Sequence, residues 1–359
     1  MALHGSNFAA VTIGSRVLSS VFNWQNNTWR SVCRLALLYI VTFLSGCVQM
    51  SLDDLGEASR EIPPKLLAAM QAKGMTPDSP VLVRIFKMES ELEVWKIDGS
   101  GKYALLKIFP MCRWSGKLGP KTKTGDRQAP EGFYRVSLAG LNPKSEFYLS
   151  FNLGYPNRLE AALGYTGEAL MVHGACSSSG CFAVTDQGVG EIYAVVEKAL
   201  KAGQPAFQVQ AYPFRMTPEN LAAHRDDPNL PFWKNLKEGY DVFEVRRREP
   251  KVGACSRKYV FDAQFKDTDP GSPLDTCPER VDLADPAVVA KMQADDQKYQ
   301  QLAEKTLKPL AYQDGGMHPS FRALLKQNGN IKLAEKVSSI KYPVSRPTAA
   351  LADPFDGKQ

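Results

Sequence analysis

Alternation of apolar and polar positions is clearest between residues 81 and 109, where three runs read as consecutive strands. Val81-Leu82-Val83-Arg84-Ile85-Phe86-Lys87, Glu91-Leu92-Glu93-Val94-Trp95-Lys96-Ile97 and Lys102-Tyr103-Ala104-Leu105-Leu106-Lys107-Ile108-Phe109 are rich in branched and aromatic residues, which suit a pleated surface. Asp98-Gly99-Ser100-Gly101 separates the last two and supplies residues that accept hairpin backbone angles. Gly132-Phe133-Tyr134-Arg135-Val136, Phe147-Tyr148-Leu149-Ser150-Phe151 and the apolar run 169–173 continue the β pattern. Ahead of the strands, Pro63-Pro64 can open a short helix whose apolar face is Leu66, Leu67 and Met70.

After Cys181 the period lengthens to that of a helix. Thr185 or Asp186 can cap it, Ile192, Val195, Val196, Ala199 and Leu200 form its apolar face, and Gly203 ends it. A strand at 207–212, helices at 217–224 and 231–248, and strands near 256–265 follow. The body is therefore α+β and runs from about residue 62 to 265. Residues 270–359 are rich in Pro, Asp, Lys and Gln, and read as a partly disordered C-terminal extension with one helical stretch near 284–307. No internal repeat is visible.

The N-terminus has a different character. Arg30 and Arg34 precede the apolar run Leu35-Ala36-Leu37-Leu38-Tyr39-Ile40-Val41-Thr42-Phe43-Leu44, which is short for a bilayer span, and then Ser45-Gly46-Cys47. Leu44-Ser45-Gly46-Cys47 resembles a bacterial lipobox. Residues 1–46 are thus expected to be a lipoprotein-type signal peptide, with Cys47 lipidated as the first mature residue. The competing reading is an uncleaved anchor or a buried helix. Val48 rather than Asp after the cysteine fits outer-membrane sorting, so the expected location is the periplasm, on a lipid anchor in the outer membrane.

Composition adds exclusions. Of 359 residues 44% are hydrophobic and 23% charged, so disorder cannot dominate. A net charge of +6 without any stripe of alternating basic and aromatic residues argues against a nucleic-acid partner. In an oxidising compartment the cysteines beyond Cys47 would pair. Cys112, Cys176, Cys181, Cys255 and Cys277 are odd in number, so one thiol is left over. Cys255 with Cys277, and then Cys112 with Cys176, are candidate bridges that would leave Cys181 free. Spacing alone does not establish them.

The chemistry concentrates in Met171-Val172-His173-Gly174-Ala175-Cys176-Ser177-Ser178-Ser179-Gly180-Cys181. An imidazole and a thiol stand eight residues apart on a loop of small residues that can fold back on itself. A thiol attacks carbonyls as the thiolate, and a neighbouring histidine can take its proton. The competing readings are a structural thiol or a Cys176–Cys181 bridge for Cys181, and a core histidine for His173. Zinc held by His173, Cys176 and Cys181 lacks a fourth ligand nearby, so no metal is expected.

His173-Gly174 followed by Ser179-Gly180-Cys181 resembles the signature of the YkuD-like L,D-transpeptidase family. The block 172–186 is similar to its YafK-type branch, the murein L,D-transpeptidases and diaminopimelate-protein amidases. The resemblance covers roughly residues 62–265. It includes Cys112-Arg113-Trp114-Ser115-Gly116-Lys117-Leu118-Gly119-Pro120-Lys121, Ala129-Pro130-Glu131-Gly132-Phe133-Tyr134 and Pro231-Phe232-Trp233-Lys234-Asn235-Leu236-Lys237-Glu238-Gly239-Tyr240. It implies a YkuD-like catalytic domain over 62–265, with its catalytic core at about 81–212, a β-sandwich-like core and flanking helices.

The same resemblance implies roles. Cys181 would be the nucleophile that forms a thioester with a diaminopimelate-containing stem peptide of peptidoglycan, and His173 the proton donor and acceptor. The Ser179 backbone carbonyl would orient His173, and the Gly180 N–H, with that of Cys181, would line the oxyanion hole. No cofactor is implied. Partners would be peptidoglycan stem peptides and a wall-attached lipoprotein, with the membrane reached through the lipid anchor. The gap of eight residues is that of the YafK-type branch, but Ala183 stands where many relatives carry Arg or Asn. Carboxylate binding would then fall to residues such as Arg113, Lys117 and Arg127, joined by Lys121 and Lys123. That loss favours hydrolysis, as an amidase releasing wall-bound lipoprotein, over transpeptidation. The alternative function is a non-catalytic peptidoglycan-binding lipoprotein.

Overall fold

The computed structural model describes residues 50–345 apart from 54, 57, 267–268, 282–284, 306–315 and 341. Residues 1–46, expected to be a signal peptide, the expected lipidation site Cys47 and the end from 346 lie outside the described residues. Among the described residues no helix is long and apolar enough to cross a membrane.

In chain order the elements are α1 (Pro64–Ala72), β1 (Val81–Phe86), β2 (Glu91–Ile97), β3 (Tyr103–Pro110), β4 (Arg113–Trp114), β5 (Gly132–Val136), β6 (Leu141–Asn142) and β7 (Ser150–Asn152). Then follow α2 (Arg158–Ala162), β8 (Met171–His173), β9 (Phe182–Ala183), α3 (Asp186–Lys201), β10 (Phe207–Tyr212), α4 (Pro218–Ala223) and α5 (Leu230–Arg246). The hairpin β11 (Val252–Cys255) and β12 (Lys258–Phe261) precedes α6 (Pro286–Ala303) and α7 (Pro319–Val337), the last interrupted at Gly329. The expected α+β class is what the structure shows.

One sheet has the order β3-β2-β1-β10-β5 and the other β4-β9-β8-β7-β6. Each contains a single parallel pair, β1 with β10 and β8 with β9, among antiparallel neighbours. Both sheets send side chains into one core: Val83, Ile85 and Val209 from the first, Phe151, Val172 and Phe182 from the second, with Ile192 and Val196 of α3 and Leu66 and Met70 of α1. The helix α3 is buried along the face read from its sequence, and Thr185 caps it by accepting the Gly188 N–H at 3.1 Å. The extension has order in its described parts: Phe321, Leu324, Leu333 and Val337 of α7 are buried with Cys112 and Cys176.

One buried polar knot sets the loop that flanks β4. Lys87, fully buried after β1, donates to the carbonyls of Gly119 at 3.1 Å and Ala129 at 3.0 Å and to Glu131 Oε1 at 2.8 Å. Glu131 in turn accepts the Gly119 N–H at 2.7 Å and the Trp233 indole N–H of α5 at 2.8 Å. Burial pushes the Lys87 ammonium towards losing its proton, and Glu131 opposes this. Removing only the carboxylate therefore strands a buried charge. We expect Glu131→Gln to lower unfolding free energy by about 3–5 kcal/mol, measured by urea denaturation, and a loss below about 1 kcal/mol would contradict the knot's role.

Candidate active site

The site is built by the parallel pair at the centre of the second sheet. Val172 pairs with Phe182, and His173 with Ala183. Val172 and Phe182 are buried in the core. Because side chains alternate along a strand, Met171, His173, Cys181 and Ala183 fall on the opposite face. Cys181 immediately precedes β9, so it sits diagonally across the pair from His173. The strand β9 is only two residues long, yet it brings the ends of the eight-residue gap to one face.

His173 is 4% exposed. Its Nδ1 lies 2.7 Å from the Gly174 carbonyl, which leaves Nε2 as the outward nitrogen when Nδ1 carries the proton. This corrects the expectation that Ser179 supplies that carbonyl: the turn after β8 folds Gly174 back under its own neighbour. Burial is the largest influence on the ring and pushes its pKa down to about 4, against the Gly174 hydrogen bond and the negative Asp186. The Phe147 ring covers the imidazole at a centroid distance of 4.5 Å.

Gly174 is required by close approach. Its N–H donates to the Phe147 carbonyl at 3.1 Å, and a Cβ there would fall 2.4 Å from Asp186 Oδ1 and 2.5 Å from the Phe147 carbonyl oxygen. Asp186, the first residue of α3, accepts the Ala175 N–H at 2.8 Å. Its carboxylate thus ties the histidine turn to the helix start, where negative charge is favoured.

Cys181 is the free cysteine among the described residues, and it is partly exposed. Both candidate bridges, Cys112–Cys176 and Cys255–Cys277, are closed. The Cys181 thiol donates to the Ala169 carbonyl at 3.7 Å. Enough protein surrounds it that burial raises its pKa, opposed by the Met171 N–H and by the positive Lys121. That lysine is held by Asp126 at 2.5 Å and by the Lys123 carbonyl at 2.9 Å. Burial thus disfavours both charged forms, thiolate and imidazolium, on this one strand-pair face.

The loop carrying Cys181 is fastened at several points. The Cys112–Cys176 bridge joins it to the start of β4. Ser178 Oγ donates to the Cys181 carbonyl at 2.7 Å, lies 3.0 Å from Ser115 Oγ, and accepts the Gly180 N–H at 3.2 Å. Gly180 has φ 137°, a conformation open to glycine and costly for other residues. The last of these bonds corrects the expectation for Gly180: its N–H points at Ser178 and is already engaged.

The five cations expected to bind carboxylates divide, with Lys121 buried on Asp126 and Lys123 exposed. Arg113 is fully buried and donates to the Ser345 carbonyl at 2.8 Å, so it is withdrawn from the surface by the chain's own C-terminal part. Lys117 and Arg127 are exposed on the loop whose Gln128 carbonyl lies 3.6 Å from a Cβ placed on Gly180. That loop is closed on itself through Gln128, whose side-chain amide donates to the Lys117 carbonyl at 3.2 Å. Sequence reasoning missed Phe147, and saw Asp186 only as a cap.

No family model matches the chain. The Escherichia coli (strain K12) protein YafK, whose name assigns it to the L,D-transpeptidases, is 41% identical over 227 residues, which is 63% of this chain and 90% of YafK. Its counterpart in Escherichia coli O157:H7 gives the same figures. Among solved structures, the helical cell shape determining protein Pgp2 from Campylobacter jejuni is 18% identical over 52% of this chain and 79% of its own, with a TM-score of 0.32. Bd1075 from Bdellovibrio bacteriovorus is 14% identical over 48% of this chain and 76% of its own, with a TM-score of 0.28. Scores that low do not bear on the fold.

The depressed histidine has a consequence for stability. Below pH about 6.5 His173 takes up a proton in the unfolded chain but, down to about 4, not in the folded one. Stability from this group is therefore complete above 6.5 and lost as pH falls towards 4, by up to about 3 kcal/mol. We expect the difference in urea stability between wild type and His173→Gln to shrink by about that amount from pH 7 to pH 4. A difference that stays constant would contradict a buried neutral imidazole.

Proposed function

This chain belongs to the YafK-type L,D-transpeptidases, and on that premise we propose that it is a cysteine acyl-transfer enzyme acting on diaminopimelate-containing stem peptides of peptidoglycan. The observation that carries the proposal is the placement of a free thiol, Cys181, on the same strand-pair face as an imidazole already fixed through Nδ1.

Two neutral partners define how the attack proceeds. Cys181 Sγ adds to an amide carbonyl on the stem peptide as His173 Nε2 takes the thiol proton, so charge appears only as the carbon–sulfur bond forms. The tetrahedral oxyanion needs a donor, and with the Gly180 N–H turned to Ser178 the proposed donor is the Cys181 N–H. Such a donor contributes about 3–4 kcal/mol to lowering the barrier. Collapse breaks the carbon–nitrogen bond, and the imidazolium returns its proton to the leaving amine. The thioester then passes its acyl group to an amine, giving a cross-link or an attached protein, or to water, giving an amidase that frees wall-bound lipoprotein. Lys117 and Arg127 are the proposed exposed cations for stem-peptide carboxylates. The proposed setting is the periplasm, with Cys47 anchored by lipid in the outer membrane.

Mass spectrometry of purified muropeptides before and after incubation tests this reading. Wild type should change their masses, whereas Cys181→Ala should leave them intact while keeping urea stability within about 1 kcal/mol. Turnover by Cys181→Ala, or inert wild type, would refute the assignment. With a base of pKa about 4, kcat/KM should hold from neutrality to near pH 5 and fall only as His173 protonates below that. A fall already complete at about pH 6 would contradict the neutral resting pair.

A further inference from the structure

Beyond α7 the chain returns across the site and fastens to both of its halves. The Ser339 N–H and hydroxyl each donate to Asp186 Oδ2 at 2.6 Å, while Oδ1 of the same carboxylate holds Ala175 in the histidine turn. Further along, the Ser345 N–H donates to the Cys176 carbonyl at 3.1 Å, its carbonyl accepts from the buried Arg113 at 2.8 Å, and its hydroxyl accepts the Ser178 N–H at 3.4 Å. Val344 is buried with Cys112 and Cys176. Between these two anchorages stands Tyr342, with its ring centroid 4.7 Å from that of Phe147, which covers His173 at 4.5 Å.

We infer that Tyr342 is a positioning residue for His173, acting through Phe147, and that the C-terminal part of this chain thereby completes the active site. The inference rests on the proposed reading of Cys181 and His173.

The physical reason is that the Gly174 carbonyl fixes only one ring nitrogen, so what stops the ring tilting about that bond is the packing around it. Phe147 limits the tilt from one face, at an interplanar angle of 35°. Phe147 itself is only half-buried, so a backing group is what keeps it there. Tyr342 supplies that backing while remaining 40% exposed. Its own place is fixed on one side by Ser339 on Asp186 and on the other by Ser345 on the cysteine loop. A residue that packs without being a core residue can be removed with little loss of folding and still change how the ring stands.

The test uses the full chain with Tyr342→Ala, Tyr342→Phe and Tyr342→Leu. Kinetics on muropeptides should show kcat reduced by about 10–100-fold in Tyr342→Ala, as expected for a displaced base. KM should stay within about twofold, the mark of an interaction that serves the chemical step. Tyr342→Phe, which keeps the ring, should restore kcat, and Tyr342→Leu serves if the alanine variant does not fold. Carbon-13 NMR of the histidine ring carbons gives a readout independent of turnover: the His173 resonance should move in Tyr342→Ala and return in Tyr342→Phe, with His224 unchanged. An unmoved His173 resonance, an unchanged kcat, a loss confined to KM, or failure of phenylalanine to rescue would each overturn the inference. A wild type inert towards muropeptides would instead sink the enzymatic reading, and the NMR comparison would still decide whether Tyr342 holds the ring.

Discussion

The pairing of β8 with β9 in parallel is the constraint from which the site follows. It turns Val172 and Phe182 into the common core and, by the two-residue alternation of strands, commits His173 and Cys181 to the other face. A one-residue slip would turn the thiol and imidazole into the apolar core and carry two large apolar side chains out of it. Burial of Val172 and Phe182 therefore enforces the register that puts His173 and Cys181 on one face. The small residues between the two strands make the short parallel connection feasible, and the Cys112–Cys176 bridge and Ser178 take up the slack that such a loop would otherwise have.

The electrostatics of the pair come from the same burial. Packing under Phe147 removes water from His173 and lowers its pKa, and the surrounding loop raises that of Cys181. Under the proposed mechanism such a site keeps an unreactive thiol until a carbonyl arrives, since ionisation without a substrate would place two charges where few groups solvate them. Lys121 is the positive charge that eases ionisation of the sulfur, and Asp126 holds it in place. Asp186 plays the matching part for the histidine, as a negative charge shared with Ala175 and Ser339.

Much of the body was legible because its elements are long enough to show a period. The strands β1 to β3, the hairpin turn and α3 repeat apolar positions over six or more residues, and the structure places them within a residue or two of the sequence reading. The strands β4 and β9 were not legible, since two residues carry no period. The pair they form supports the site, so its geometry had to come from the fold while its residue types came from the motif. Tertiary contacts also redirected three assignments: Gly174 took the place of Ser179 at the imidazole, Ser178 claimed the Gly180 N–H, and Ser345 claimed Arg113. The helix α7 escaped notice because Gln327-Asn328-Gly329-Asn330 interrupts its apolar pattern, and Gly329 indeed breaks the helical backbone with φ 77°.

The central claim is that the sulfur of Cys181 carries the acyl group between two amines, or between an amine and water. Its most direct test is to mix the protein with purified stem-peptide muropeptides, quench in acid, digest, and weigh the peptide containing Cys181. The account predicts an added acyl mass on that peptide, released by hydroxylamine as a thioester would be and absent when His173 is replaced by glutamine. An unmodified Cys181 peptide in a sample whose muropeptides have been converted would contradict it.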